Sequence, residues 1–193
     1  MDHIDTAEQE LPQRYTGTAK VLHWLMALMI LGLFAVGQYM SDLSMSPTKL
    51  QLYSWHKWFG VTAFLLVLIR LGWRLTHQPP TLPLHMSTLQ QRASHLAHAA
   101  LYGLMLAIPV SGWLMSSAKG YQTVWFGVLP IPDVLAKDKI LGDLLAEVHG
   151  TLNGVLMLIV FIHVIAAFKH HFIDRDDILK RMLPSRQQPS PPQ

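Results

Sequence analysis

The chain has 193 residues, of which 51% are hydrophobic and only 14% are charged. A soluble domain carries about 25% charged residues, so the composition indicates an integral membrane protein without a sizeable soluble domain. The absence of cysteine excludes disulfides, thiolate-bound iron–sulfur clusters and covalent attachment of a cofactor through C-x-x-C-H. The net charge of +3 gives no sign of a nucleic-acid surface, and the lipid bilayer is the expected partner.

Four apolar segments, each long enough to cross a bilayer as a helix, follow one another along the chain. A polar N-terminal tail, residues 1–16, precedes them and lacks the basic start of a cleaved signal peptide. A cytoplasmic basic amphipathic tail, residues 173–193, follows them and is expected to rest on anionic lipid headgroups. The predicted fold class is all-α integral membrane, a bundle of four transmembrane helices in one domain, residues 17–172. The predicted helices lie at about 17–40, 50–75, 89–117 and 146–171.

The basic residues between these segments predict the orientation of the bundle. Both tails and the regions around the second connection carry every arginine, whereas the first and third connections carry only lysines. Because positive charge favours the cytoplasmic side, both termini are expected in the cytoplasm, as in a multi-pass protein of the bacterial inner membrane. The outer-side lysines are Lys49, Lys57, Lys119, Lys137 and Lys139. Acids balance them on the same side, namely Asp42, Asp133, Asp138, Asp143 and Glu147.

Four histidines lie at two matched depths of this topology. On the fourth helix His149 and His163 are separated by 163 − 149 = 14 residues, which is close to four whole turns, so both imidazoles face the same neighbours. The direction of each helix places His56 with His149 near the outer surface and His23 with His163 near the inner surface. Each pair can clamp a haem iron between neutral imidazole nitrogens. We therefore predict two stacked, non-covalent b haems.

Small residues near these histidines would let a flat macrocycle approach the backbone. They are Gly32, Gly60, Gly150 and Gly154. The competing interpretations are interfacial histidines and a zinc or non-haem iron site. Such metal sites usually include carboxylate ligands beside the histidines, and the membrane-embedded parts of the helices contain no carboxylates. Glu147 is the one exception, and its position is interfacial.

Several stretches of the sequence carry a family resemblance. They are AKVLHWLM around His23, WHKWFGV around His56, R-L-x-W-R from Arg70, SHLAHAALYGLMLAIPVSGW, EVHGTLN, FIHVIAAFKHHF and DRDDILKRMLP. Together, over residues 15–184, they resemble the bacterial cytochrome b561 family of four-helix dihaem membrane cytochromes. The resemblance implies the same four haem ligands. It is closest to the superoxide oxidase type, which implies an enzyme that takes electrons from superoxide at the outer haem and reduces ubiquinone.

Other polar residues have two interpretations each. Arg70 and Arg74 are suited to bind haem propionates, or to anchor the second helix on the cytoplasmic side. His95 and His98 share a face of the third helix, where a contact to a propionate, or a proton path to quinone, competes with interfacial packing. Solvent-facing positions are expected for His3, His77 and His85.

The end of the fourth helix carries three candidates for protonating a reduced quinone, Lys169, His170 and His171. The resemblance supports His170 as the quinone contact. For the other two, a cation that extends to the membrane surface is the alternative.

The expected function is electron transfer from a periplasmic donor, superoxide, through two b haems to the ubiquinone pool. Two alternatives remain open. The first is an electron-transfer or anchor subunit that links the quinone pool to a partner redox enzyme. The second is a histidine-lined transporter without haem.

Overall fold

The computed structural model describes residues 14–83 and 86–183. Four long helices dominate it, α1 (Gly17–Asp42), α2 (Pro47–Thr76), α3 (Thr88–Ala118) and α4 (Lys139–Lys169). A two-stranded antiparallel hairpin, β1 (Thr123–Trp125) and β2 (Leu129–Ile131), connects α3 to α4. A π-helical turn (His170–Asp174), called the π-turn below, and a short helix α5 (Ile178–Met182) follow α4. The predicted four-helix membrane class is confirmed, with one small hairpin added to it.

The helices begin where side chains cap their free N–H groups. The Thr16 hydroxyl accepts from Ala19 N at 3.3 Å, and the Ser46 hydroxyl accepts from Lys49 N at 3.2 Å, just before Pro47. Ser87 and Gln90 form a reciprocal capping box at the start of α3. These caps explain why the first three helices start close to the predicted positions.

The fourth helix begins at Lys139, about two turns before the predicted start near residue 146. The carboxylate of Asp138 accepts from Leu141 N at 3.0 Å and so caps the helix. The apolar stretch alone misplaced this boundary, because Lys139 and Asp143 interrupt the first two turns and lie before the uncharged run. An acidic cap followed by an apolar-periodic stretch was the available signal.

The four helices alternate in direction and form two distinct ends. At one end, called the tail end, Trp73 Nε1 near the end of α2 donates to Thr16 Oγ1 before α1 at 2.9 Å, and α5 lies against the same region. At the other, the hairpin end, Trp58 Nε1 donates to Val124 O of β1 at 2.6 Å. The tail end therefore gathers the start of α1, the end of α2, the start of α3 and the end of α4.

The outer surface of the bundle is apolar. Leu75 is 87% exposed and Ile140 is 83% exposed, whereas few side chains, such as Val67 between the helices, are fully buried. All four long helices have the length and hydropathy needed to span a membrane. So much exposed apolar surface is stable in lipid and not in water, as the composition predicts.

The residues expected to face solvent divide into two groups. His3 and His85 lie outside the described residues, as do 1–13 and 184–193 of the two tails. His77 is exposed, and its ring stacks on Trp73 with centroids 3.9 Å apart and planes 6° apart. The division into tails and one membrane domain stays a prediction.

Candidate functional site

Two of the predicted ligands meet at the hairpin end. The imidazoles of His56 on α2 and His149 on α4 have ring centroids 6.4 Å apart and planes inclined by 78°. Both side chains are half-buried. The apolar helix interiors around them exclude water, so an ion held there would depend on these two rings for ligands.

The other two predicted ligands meet at the tail end. His23 on α1 and His163 on α4 have ring centroids 6.4 Å apart, with planes inclined by 64°. A third ring joins them, because His98 on α3 lies 5.4 Å from His163 in an edge-to-face arrangement. Its neighbour His95 is exposed and takes no part in this cluster. The depths inferred from the sequence predicted both pairs, but they did not predict which of His95 and His98 lies beside the tail-end pair.

The separation within each pair fits one ion between two imidazoles. Bonds of about 2.0–2.1 Å, with each nitrogen about 1.1 Å from its ring centre, place two opposed centroids roughly 6.3 Å apart. A zinc site would need three or four protein ligands. Among residues 14–83 and 86–183, the one cluster of three suitable donors is His170, Asp174 and Asp176, away from both pairs. A pair of imidazoles at this separation instead suits a cofactor that supplies the remaining ligands itself, as haem does.

Hydrogen bonds fix the tautomer of His149. Its Nδ1 lies 3.1 Å from the Ile108 carbonyl oxygen and 2.9 Å from the Ser111 hydroxyl. A carbonyl oxygen only accepts, so Nδ1 must carry the proton, and Nε2 keeps its lone pair for a metal. This is the hydrogen-bonded arrangement usual for metal-binding histidines.

Glycines of neighbouring helices allow the hairpin-end rings to sit close to the backbone. A Cβ atom at Gly37 of α1 would lie 3.3 Å from His56 Cε1, and one at Gly112 of α3 would lie 3.1 Å from His149 Cε1. These two glycines were missed in the sequence, although each lies at the depth of the histidine that it contacts. The four predicted glycines have a different environment, with no atom within 4 Å of an added Cβ. They are Gly32, Gly60, Gly150 and Gly154.

A cavity of about 60 Å³ adjoins the hairpin-end pair and reaches into the middle of the bundle. All four long helices contribute to it, and its lining is apolar except for His56, His149 and Asn153. The Asn153 amide is turned back and donates to the His149 carbonyl at 2.7 Å. The apolar lining beside two imidazoles is the chemical environment that a flat hydrophobic group with a metal ion requires.

The two predicted propionate ligands lie at the tail end. Arg70 Nε donates to the Tyr102 hydroxyl at 2.9 Å, and Nη1 reaches the carbonyl of Ala19, one turn before His23, at 3.4 Å. Arg70 and Arg74 both line a polar cleft of about 30 Å³ that also includes Tyr15. Their guanidinium groups therefore lie beside the tail-end histidines, and a role as propionate ligands stays a prediction.

The three predicted proton donors fall at the π-turn. His170 Nδ1 lies 2.7 Å from the Asp176 carboxylate and 3.2 Å from that of Asp174, while Lys169 Nζ lies 2.6 Å from Asp174. His171 is half-buried, and its ring contacts Phe172. This ion-pair cluster was not predicted, because it depends on a left-handed Arg175 (φ 56°) that turns the chain back.

The described part of the C-terminal tail packs on protein. Trp24 Nε1 of α1 donates to the Met182 carbonyl at 3.0 Å. Arg181 pairs with Asp177 at 2.9 Å and also donates to the Thr81 carbonyl. The hydrogen bond from Arg181 holds the pKa of Asp177 below its ordinary value. Contact of this tail with lipid headgroups stays a prediction, and its residues up to Leu183 also contact the bundle.

The outer lysines divide into two groups. Lys119 and Lys139 both pair with Asp143, at 3.3 Å and 2.9 Å. Lys57, next to His56 in sequence, donates to the Tyr121 carbonyl at 2.8 Å, and Lys49 donates to carbonyls of the α1–α2 turn. Because carbonyls are neutral, these last two contacts do not neutralise the lysines, although the Asp133 carboxylate also acts electrostatically on Lys57.

Sequence comparison identifies the family to which this chain is similar. A sequence model of the family described as prokaryotic cytochrome b561 matches residues 14–185. The chain is 35% identical over 179 residues to cytochrome b561 homolog 2 of Escherichia coli K12, covering 89% of this chain and 92% of that protein. Cytochrome b561 homolog 1 of the same strain is 26% identical over 90% of this chain and 98% of its own.

A further relative is described as a probable superoxide oxidase, CybB, of Yersinia pestis. It is 24% identical over 169 residues, which cover 86% of this chain and 93% of that protein. The family match and the four spanning helices identify a bacterial membrane protein that acts in electron transfer. The chain belongs to the prokaryotic cytochrome b561 family.

Proposed function

We propose that each histidine pair holds one haem b, through His56 and His149 at the hairpin end and through His23 and His163 at the tail end. Haem b is the cofactor that the family implies, and it supplies reversible one-electron chemistry when bound. The observation that carries the proposal is the equal 6.4 Å separation of both pairs. The fixed tautomer of His149 supports it, because Nε2 is the nitrogen left to bind iron.

The proposed reaction joins the two ends of the bundle. At the hairpin end, two superoxide anions each lose one electron and leave as dioxygen. At the tail end, one ubiquinone takes up these two electrons and two protons and becomes ubiquinol. The relative described as a probable superoxide oxidase supports this choice of substrate. In this proposal the hairpin end faces the periplasm and both termini lie in the cytoplasm, in the inner membrane, as the arginine distribution favours.

At the hairpin end, the chain would attract an anion through Lys57 and Lys49. Their ammonium groups bind neutral carbonyl oxygens of Tyr121 and of the α1–α2 turn, and the Asp133 carboxylate near Lys57 offsets part of this positive charge. Such fixed charge raises the encounter rate of a small anion, and salt weakens the effect.

At the tail end, the π-turn would deliver the protons. The cluster of His170, Asp174 and Asp176 joins an imidazole to two carboxylates by short contacts, next to the Lys169 ammonium. Such a chain can pass a proton inward, which a quinone needs as it is reduced. His171 is the third member of the proposed quinone region.

The first experiment is a reduced-minus-oxidised optical spectrum with a haem-to-protein ratio, on the wild type and on His149→Ala. Two b haems per chain are expected in the wild type, with loss of one or both in the variant. A folded wild-type protein without haem would overturn the proposal and favour the histidine-lined transporter. Retention of both haems in His149→Ala would reject the ligand assignment.

The second experiment tests the substrate. Purified protein with ubiquinone is expected to release dioxygen from superoxide and to form ubiquinol, at a rate that falls as the ionic strength rises. Lys57→Gln should slow this reaction, whereas the matched variant Lys139→Gln should not, because Lys139 is already paired with Asp143. A haem-loaded protein that gives neither product would favour the alternative of an electron-transfer subunit with a partner redox enzyme.

A further inference from the structure

One segment of α3, Ile108 to Gly112, holds the imidazole of His149 from the side opposite to its free nitrogen. The Ser111 side chain is buried, with 6% of the residue exposed. Its hydroxyl donates to the Ile108 carbonyl at 2.8 Å and lies 2.9 Å from His149 Nδ1. Both groups therefore converge on the same imidazole nitrogen.

One placement of the protons satisfies all three contacts of this network. The Ser111 hydroxyl gives its one proton to the Ile108 carbonyl, so its oxygen must accept from His149 Nδ1–H. The same N–H also points to the Ile108 carbonyl at 3.1 Å. A proton shared with two oxygens is partly drawn away from the ring, which makes the opposite nitrogen, Nε2, more electron-rich.

The neighbouring glycine makes this contact possible. An added Cβ at Gly112 would lie 3.1 Å from His149 Cε1 and 3.3 Å from Nδ1, closer than ordinary contact. Any side chain there would push the ring away from Ser111.

The tail-end pair has no such support. Among residues 14–83 and 86–183, no hydrogen bond reaches a ring nitrogen of His23 or His163, and the nearest polar ring, His98, makes an edge contact with His163 at 5.4 Å. The two pairs therefore have the same separation but differently polarised rings.

We propose that Ser111, with the Ile108 carbonyl, is a positioning residue that lowers the reduction potential of the hairpin-end centre relative to the tail-end centre. The inference rests on the proposed ligation of haem by His149. A more electron-rich imidazole stabilises the oxidised iron, so the hairpin-end centre gives up its electron more readily. The consequence is a downhill path from the hairpin end to the tail end.

Redox titration of Ser111→Ala followed by optical spectroscopy tests this inference. We expect the potential of one centre alone to rise, by up to about tenfold in its equilibrium constant for one-electron reduction, equivalent to about 59 mV. Ser111→Thr keeps the hydroxyl and should restore the wild-type value. Ser116→Ala is the matched control, because this buried serine donates to the Tyr121 carbonyl and not to a histidine.

The outcomes separate the inference from the proposed function. If His149→Ala loses haem while Ser111→Ala shifts neither potential, or shifts both equally, the ligand assignment stands and the role of Ser111 is rejected. Should Ser111→Ala lose haem outright, retention of haem in Ser111→Thr supports the inference, and loss in both rejects it.

A second variant tests whether the close approach of Gly112 to the His149 ring positions that ring. Gly112→Ala should displace the His149 ring, which electron paramagnetic resonance would detect as a change in one low-spin ferric signal. Gly103→Ala on the same helix, where an added Cβ meets nothing within 4 Å, should leave both signals unchanged. An unchanged spectrum in Gly112→Ala would argue against the close approach.

Discussion

The two histidine pairs have equal separations but opposite surroundings. At the hairpin end the rings of His56 and His149 lie against glycines, and neutral oxygens of Ile108 and Ser111 polarise one of them. At the tail end the rings are near positive groups, because Arg70 binds the backbone one turn before His23. The two pairs therefore share the same separation between their rings, but the charges and dipoles around the rings differ.

This difference in surroundings predicts the direction of electron transfer between the two centres. Electron-rich ligands favour the oxidised state of an iron, whereas a nearby positive charge favours the reduced state that has gained an electron. The hairpin-end centre is therefore expected to have the lower potential and the tail-end centre the higher one. In the proposed function, electrons from an outer donor would move downhill toward the quinone.

The largest expected effect concerns the three histidines of the tail end. His163→Ala should lose the tail-end haem, whereas His98→Ala should keep two haems per chain, because only the pair of His23 and His163 has the 6.4 Å separation. Haem-to-protein ratios from pyridine haemochrome spectra measure both. The reverse pattern would assign the ligand to His98 and would remove the symmetry between the two ends.

The second prediction tests the positive charge at the tail end. Arg70→Gln should lower the potential of the tail-end centre, on the order of tenfold in its reduction equilibrium, or about 59 mV, as measured by redox titration. Tyr102→Phe removes the same 2.9 Å hydrogen bond without changing the charge, and should leave the potential near its wild-type value. Equal shifts in the two variants would attribute the effect to packing and not to charge.

The sequence predicted the features that follow from periodicity and length. Four long apolar stretches predicted four helices, and fourteen residues between His149 and His163 placed both rings on one face. The direction of each helix then placed His56 and His23 at the matching depths, where the structure has them. These inferences succeed because helix geometry is set by the backbone alone.

Contacts between helices were harder to predict. Whether Ser111 reaches His149 depends on the rotation of α3 against α4, which apolar periodicity constrains only loosely when most of each helix faces lipid. The hairpin was missed for another reason, since its turn uses positive φ angles at Phe126 and Gly127 in a stretch that reads as interfacial. A glycine one position after Phe126 was the only local sign of this turn.

The two ends of the bundle are also closed by different chemistry. Neutral hydrogen bonds of Trp58 and Trp125 hold the hairpin strands, although two ion pairs lie at the same end, where Asp143 near the start of α4 pairs with Lys139 and with Lys119 at the end of α3. Ion pairs hold the tail end, through Lys169 with Asp174 and Arg181 with Asp177. Acid should therefore loosen α5 before the hairpin strands, because the Asp177 carboxylate of its ion pair takes up a proton as the pH falls, whereas the hydrogen bonds of the hairpin join groups that do not titrate.

The smallest expected effect isolates one of these pairs. Arg181 lowers the pKa of Asp177 in the folded protein, so the pair stabilises α5 above the ordinary carboxyl pKa of about 3.9, and this contribution is lost as the pH falls below it toward the lowered value. Since the Asp177 side chain is 55% exposed, the pair is worth only about 0.2–1 kcal/mol. At pH 7, Asp177→Asn should raise hydrogen exchange in α5 by at most about fivefold while hairpin amides stay unchanged. Once rates are corrected for intrinsic exchange, wild type and variant should converge as the pH falls below the lowered pKa of Asp177. Equal loosening of the hairpin by Asp177→Asn would contradict the separation of the two ends.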